Sequence, residues 1–172
     1  HEFHVLADSG EDALAYSPAS DYAANVELAQ AVAPTTPRGA AGQAMAKLAT
    51  PNKTRCEDVA EFLKLPFDKT VKAIAVMHDE EFVLLLIRGD HTLNEIKVAK
   101  LPGLDLFRFA TDAEIELALG CKPGYLGPVG IDASKVRVIA DRTVASFHYT
   151  LTNDAGDVLD SSEGREPLTY LH

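Results

Sequence analysis

A lysine set among apolar residues on a strand is a candidate for electrostatic catalysis, and the segment Thr70-Val-Lys-Ala-Ile-Ala-Val76 holds one. Side chains on a strand alternate with period two, so Lys72 shares a face with Ile74 and Val76. Its ammonium could offset negative charge developing on a substrate oxygen, or it could snorkel to water from the mouth of the strand. The segment Gly120-Cys-Lys-Pro-Gly-Tyr-Leu-Gly-Pro-Val-Gly130 carries four glycines and two prolines in eleven residues. Such a composition lets backbone N–H groups approach a ligand and stabilise an oxyanion, and it also suits a plain connecting loop. No Gly-Lys-Ser/Thr follows, and the glycine spacing is not that of a dinucleotide fingerprint. Asp141 follows an apolar strand candidate and is either a site carboxylate or an ion-paired or helix-capping one.

Other chemistry is weakly signalled. Arg88-Gly-Asp-His91 reads as a tight turn between a strand and a helix. The six histidines are dispersed, and His1 and His4 do not form His-Glu-x-x-His, so no ligand spacing supports a metal and no other cofactor is expected. Cys56 and Cys121 stand apart without Cys-x-x-Cys spacing and are expected to be buried, reduced thiols.

These residues need elements to position them. Three Thr-x-x-Glu patterns, Thr54/Glu57, Thr92/Glu95 and Thr111/Glu114, predict helices starting at each. Between them lie strand candidates Thr70–Met77, Glu81–Ile87 and Leu104–Phe109, and Val136–Ala140 follows the glycine-rich loop. The order α-β-β-α-β-α-β, with a tight connection at His78-Asp79-Glu80, predicts an α/β to α+β fold. Its mixed sheet would be partly closed and flanked by short helices. Upstream, His1–Ala7 alternates as a strand with which Asp12–Tyr16 could pair, and Tyr22, Val26, Ala29 and Val32 or Ala33 predict a helix over 19–33. Downstream, Phe147–Thr152 and Asp157–Leu159 flank a turn and predict a hairpin.

With 172 residues, 47% of them hydrophobic, one core is expected. The longest nearly unbroken apolar run, Phe82–Ile87, is strand-sized, so no membrane partner is expected and the chain reads as cytoplasmic. The charge of −10 is uneven: residues 1–46 hold one Lys or Arg against six Asp or Glu, residues 47–142 hold 14 against 15, and residues 143–172 hold one against five. Only the middle could approach RNA without strong repulsion, and tight docking there would need help from elsewhere.

Taken together, several ordered motifs resemble the editing insertion of bacterial-type prolyl-tRNA synthetases and its free-standing YbaK- and ProX-like relatives. They are Thr50-Pro-Asn52, Leu65-Pro66, Lys69-Thr-Val-Lys72, Leu86-Ile-Arg-Gly-Asp-His91, Leu93-Asn-Glu95, Pro123-Gly-Tyr-Leu-Gly-Pro-Val129 and Ile139-Ala-Asp-Arg-Thr-Val144. His1–Ala7 and Asp21-Tyr-Ala-Ala-Asn25 are similar to the catalytic-domain stretch that precedes that insertion. The resemblance implies a YbaK/ProX-like fold and hydrolysis of the ester linking alanine to proline tRNA. Its partner would be the acceptor end of that tRNA, with water as the attacking group. It also implies that Lys72 is the residue most tied to deacylation, that Thr50 and Asp141 are pocket positions, and that Gly124, Gly127 and Pro128 line the site, with loop amides as oxyanion donors.

After Ala145 the family continues toward a pocket histidine that senses the alanine side chain, and that histidine has no counterpart here. Residues 146–172 instead resemble the start of an FKBP-type peptidyl-prolyl isomerase, Tyr149 and Asp160 matching its proline pocket. The division that follows is 1–44, a fragment of catalytic domain and linker; 45–145, an editing domain; and 146–172, an isomerase-like hairpin that could extend the editing sheet. Three functions stay open: an editing esterase, an inert or binding-only chimera, and an isomerase, the last without the rest of its barrel. The sequence carries no signal of oligomeric state.

Overall fold

The computed structural model describes residues 13–29 and 44–141, together with the backbone of residues 150–152 and 158–161. Its centre is a four-stranded sheet. Strands β3 (Val71–His78) and β4 (Glu81–Arg88) pair antiparallel along their whole length, from Val71 opposite Arg88 to His78 opposite Glu81. The two-residue connection holds Asp79 at φ +50°, a left-handed conformation that Asp tolerates better than most residues. β5 (Arg108–Phe109) pairs antiparallel with β3, and β6 (Arg137–Ala140) pairs parallel with β4, giving the order β5-β3-β4-β6. The sheet is mixed, as the element order predicts, but it is open: four strands leave β5 and β6 as edges, too few to close on themselves.

The alternation in β3 and β4 sorts two apolar clusters onto opposite faces. Ala75, Met77, Phe82, Leu84 and Leu86 face one way, against Ile115 and Val136. Val76, Val83 and Leu85 face the other, against Val98 and Leu104. β4 is therefore covered on both sides, which is why Phe82–Ile87 is apolar without a break. Val76, Val83, Leu84 and Leu104 are 0% exposed, each burial contributing roughly 1.5–3 kcal/mol.

Among the described residues three α-helices flank the sheet, and each starts near its predicted position by a different device. α1 (Cys56–Leu63) follows Arg55, which makes no side-chain cap, so Thr54 lies outside the cap position. α2 (Glu95–Val98) is capped by Asn94, whose Oδ1 accepts from the Lys97 N–H at 3.0 Å, and the Thr92/Glu95 pattern is not used as a box. α3 (Asp112–Leu119) has the full reciprocal box: Glu114 N donates to Thr111 Oγ1, and Thr111 N donates to Glu114 Oε2. It ends at Gly120, φ +65°, a left-handed cap that glycine adopts without strain. The predicted strand Leu104–Phe109 shrinks to two residues because Leu104 N and Phe107 N donate into local turns, to Leu101 O and Leu104 O.

The upstream helix is not formed within the described residues. Leu14–Tyr16 (β1) pairs antiparallel with Ala23–Asn25 (β2) instead. The turn between them is closed by Ser17 N donating to Tyr22 O, with the Ser17 and Ser20 hydroxyls accepting from Ala19 N and Tyr22 N. A short helix draws most of its stability from packing an apolar face, yet Tyr22, Val26 and Leu28 are exposed here. The suggested partner His1–Ala7 and residues 30–33 lie outside the described residues. The segment after β2 touches α2, where Asn94 Nδ2 donates to Glu27 O at 2.7 Å and Lys97 Nζ donates to Ala29 O. Downstream, β7 (Thr150–Thr152) and β8 (Val158–Ser161) form the predicted hairpin. Among the described residues it is a separate two-stranded sheet and does not extend the four-stranded one as expected.

Candidate functional site

The segment leading into α1, the first residues of β3 and the loop after α3 converge on one cleft of ≈ 630 Å³. Lys72 is the second residue of β3 and lines it, half-buried, with Thr50 and Gly124. The ammonium is fixed rather than trailing into water: Nζ donates to the backbone oxygen of His91 at 2.8 Å and lies 5.9 Å from the centre of the Phe67 ring. One carbonyl uses one of three N–H donors, so two remain for a ligand.

His91 ends the turn that follows β4. The Arg88 guanidinium grips the Asp90 carboxylate through two bonds, Nε to Oδ1 at 2.6 Å and Nη2 to Oδ2 at 2.9 Å, and the pairing holds Asp90 below the usual carboxylate range. His91 N donates to Arg88 O at 2.9 Å, so the tight-turn expectation for Arg88-Gly-Asp-His91 is met. The His91 ring lies between two carboxylates, Nδ1 3.8 Å from Asp141 Oδ2 and Nε2 4.0 Å from Asp90 Oδ1.

The predicted site residues divide into two groups. Thr50, Lys72 and Gly124 come together in the cleft. Gly127 and Pro128 belong to the same loop but are not among its lining residues, which reach only to Leu126. Asp141 is not among the lining residues; it directly follows β6, its N–H bonded to Leu86 O and its carboxylate 3.8 Å from His91 Nδ1. Of the loop amides expected to hold an oxyanion, that of Tyr125 already donates to Lys122 O at 3.2 Å.

The cleft also has residues that reading the sequence did not single out. Lys53, Arg55 and Lys69 join Lys72 in the lining against one acid, Glu57, so the cleft is cationic in a chain of net charge −10. Tyr125, 49% exposed, presents an aromatic face at its edge. Both cysteines are half-buried rather than buried, and Cys56 lines the cleft with Sγ 3.6 Å from Val71 O. Burial pushes its thiol up, opposed in part by the Lys72 charge, so the reactive thiolate is disfavoured. Among the described residues no cluster of His, Cys, Asp and Glu could hold a metal, and no helix is long and apolar enough to cross a membrane. The arrangement can hold a polyanion at its rim and oppose negative charge at its centre.

Comparison with known proteins gives this geometry a context. Residues 50–157 match the family described as aminoacyl-tRNA editing domain. The chain is 62% identical over 145 residues to the proline–tRNA ligase of Thiobacillus denitrificans, covering 84% of this chain and 25% of that protein. It is 60% identical over 163 residues to that of Dechloromonas aromatica, covering 91% and 28%. The chain thus spans between 25% and 28% of the length of these relatives. A crystal structure described as a candidate trans-editing enzyme for prolyl tRNA synthetase shares the fold, with TM-score 0.50 and 20% identity over 59% of this chain and 64% of that one. The family match runs past Ala145 into the downstream hairpin, and the isomerase resemblance of 146–172 gains no support.

Proposed function

Because the chain belongs to the aminoacyl-tRNA editing domain family, we propose that it hydrolyses the ester joining alanine to proline tRNA, with Lys72 as the cation that meets the substrate. The observation that carries the reading is the Lys72 ammonium, held by one carbonyl in a cation-rimmed cleft opposite a glycine-bearing loop. The unit responsible is residues 45–145 in our reading, and its partner is the acceptor end of the tRNA. Lys53, Arg55 and Lys69 suit the phosphates of that end, and phosphate contacts supply most of the affinity for nucleic acid.

In the reaction, water adds to the ester carbonyl carbon and the oxygen gains negative charge that Lys72 opposes. The bond to the ribose oxygen then breaks, giving free amino acid and a tRNA with its terminal hydroxyl restored. Water is the attacking group in our reading, since burial raises the pKa of the one thiol that lines the cleft and so disfavours its thiolate. No cofactor enters. A second site that admits alanine and excludes proline complements a synthetic pocket, for which one missing methylene is worth only about 1–3 kcal/mol.

The test is hydrolysis of alanyl and prolyl esters of proline tRNA by the parent chain and by Lys72→Ala. Selective release of alanine, falling by about 10²-fold or more in the variant, is expected. Absence of hydrolysis by the parent would leave the binding-only reading in its place.

A further inference from the structure

The Arg88–His91 turn has no part in the reaction just described, yet it holds the lysine that does. Its seat is unusually close. Gly89 is buried, and its N–H donates to Thr70 O at 2.8 Å. A Cβ added at Gly89 would lie 1.9 Å from Thr70 Oγ1 and 3.1 Å from Phe67 O. Its φ is outside the left-handed region, so space rather than backbone conformation requires glycine here. Thr70 cannot simply turn away, because its hydroxyl donates to Phe67 O at 2.7 Å. The turn therefore rests on the single 3-10 turn Phe67–Lys69 that precedes β3, and the same 3-10 turn supplies the aromatic ring near Lys72 Nζ. At the far end of the seat, the His91 carbonyl accepts from that Nζ.

We propose that this turn is the positioning element of Lys72: Gly89 lets it seat on Thr70, and the seat sets where the His91 carbonyl meets the ammonium. The imidazole of His91 is not what holds the lysine. The functional consequence rests on the reading of Lys72 as the group that meets the substrate, whereas the seat itself does not. An ammonium fixed through one N–H presents its other two in defined directions, and a misplaced one loses alignment with the ester oxygen. Asp90, clamped by Arg88, keeps the turn closed from the solvent side.

The test uses Gly89→Ala, Asp90→Ala and His91→Ala in the full chain, with two readouts. The first is the rate at which a water-soluble amine-acylating ester modifies Lys72, normalised to the exposed Lys135 of the same molecules by peptide mass spectrometry. Acylation removes the positive charge and with it the charge-assisted N–H···O contact, so a Lys72 already released from that contact should react about tenfold faster in Gly89→Ala. Asp90→Ala, which removes the carboxylate that Arg88 grips and adds no atom to the turn, should raise it at least about threefold and carries the test should Gly89→Ala not fold. His91→Ala keeps the peptide carbonyl and should change it less than about twofold. The second readout is hydrolysis, where Gly89→Ala or Asp90→Ala should lower kcat while KM holds. A Lys72 rate within twofold of the parent in both turn variants overturns the proposal, as does a His91→Ala effect equal to theirs. A parent that hydrolyses nothing would sink the esterase reading alone, since the labelling still decides the seat.

Discussion

Gly124 lies against Thr54 so closely that a Cβ there would sit 2.8 Å from both Cβ and Cγ2 of the threonine, and its φ of +88° is one that side chains rarely adopt. The contact joins the loop after α3 to the segment before α1, two walls of the cleft.

Gly124→Ala should therefore be costly twice, through strain at positive φ and through the clash, with a loss of stability of about 1–3 kcal/mol. Gly127→Ala, where nothing lies within 4 Å of the added carbon, is the control and should cost less. Urea unfolding of both variants checks the difference, and equal losses would show that the Thr54 contact is not a constraint.

The cationic rim predicts salt-dependent binding of a single-stranded RNA 3′ end. Lys53→Ala and Lys69→Ala should each weaken binding of an uncharged acceptor-stem oligonucleotide. Each should also reduce the slope of log affinity against log salt by about 0.7. Fluorescence anisotropy across a potassium chloride series measures both. An unchanged slope in both variants would remove these lysines from the phosphate path.

Glu114 gives a pH prediction with a definite sign. Two bonds from Arg108, at 2.9 and 2.6 Å, and then the Thr111 backbone and hydroxyl lower its pKa from an ordinary 4.5 to about 2. The folded state thus binds its proton less readily than the unfolded chain, so the stabilisation is complete above 4.5 and lost as pH falls through about 2. Glu114→Gln should flatten this acid dependence. The Arg108 and Glu114 side chains are 54% and 29% exposed, so salt should shrink the difference. Circular dichroism between pH 5 and pH 2, at low and high salt, checks both statements; a steeper acid transition in the variant would contradict them.

The core makes a sharper demand. Leu84, 0% exposed at the middle of β4, should cost about 2–5 kcal/mol when replaced by alanine, because the cavity has packed neighbours on every side. Leu117→Ala, at a position 89% exposed, should stay within about 0.5 kcal/mol of the parent. Chemical denaturation of the pair measures the contrast.

What the sequence revealed follows from how local each signal is. β3 and β4 were legible because alternation, an unbroken apolar run and a two-residue connection agree with one another. The Thr111 box was legible because both its halves are used. Thr54 and Thr92 carry the same pattern with other partners: one packs on Gly124, and the other yields its cap to Asn94. The helix expected over 19–33 failed because helical spacing without a surface to cover does not outweigh serine-closed turns. Lys72, Thr50 and Gly124 could be named in advance from alternation and resemblance together. Lys53, Arg55, Lys69 and Tyr125 could not, since the rim exists only where three separated segments meet. The acceptor that fixes Lys72 is a main-chain oxygen, and no residue letter announces it.

The mixed pairing of the sheet also orders its assembly. β3 and β4 close over two residues, a step of microseconds, whereas β6 must find β4 from 54 positions away, Arg137 opposite Val83. The loop bearing Gly124 lies within that crossover. A nascent chain thus presents its lysine on a local hairpin before the loop that forms the opposing wall has been made.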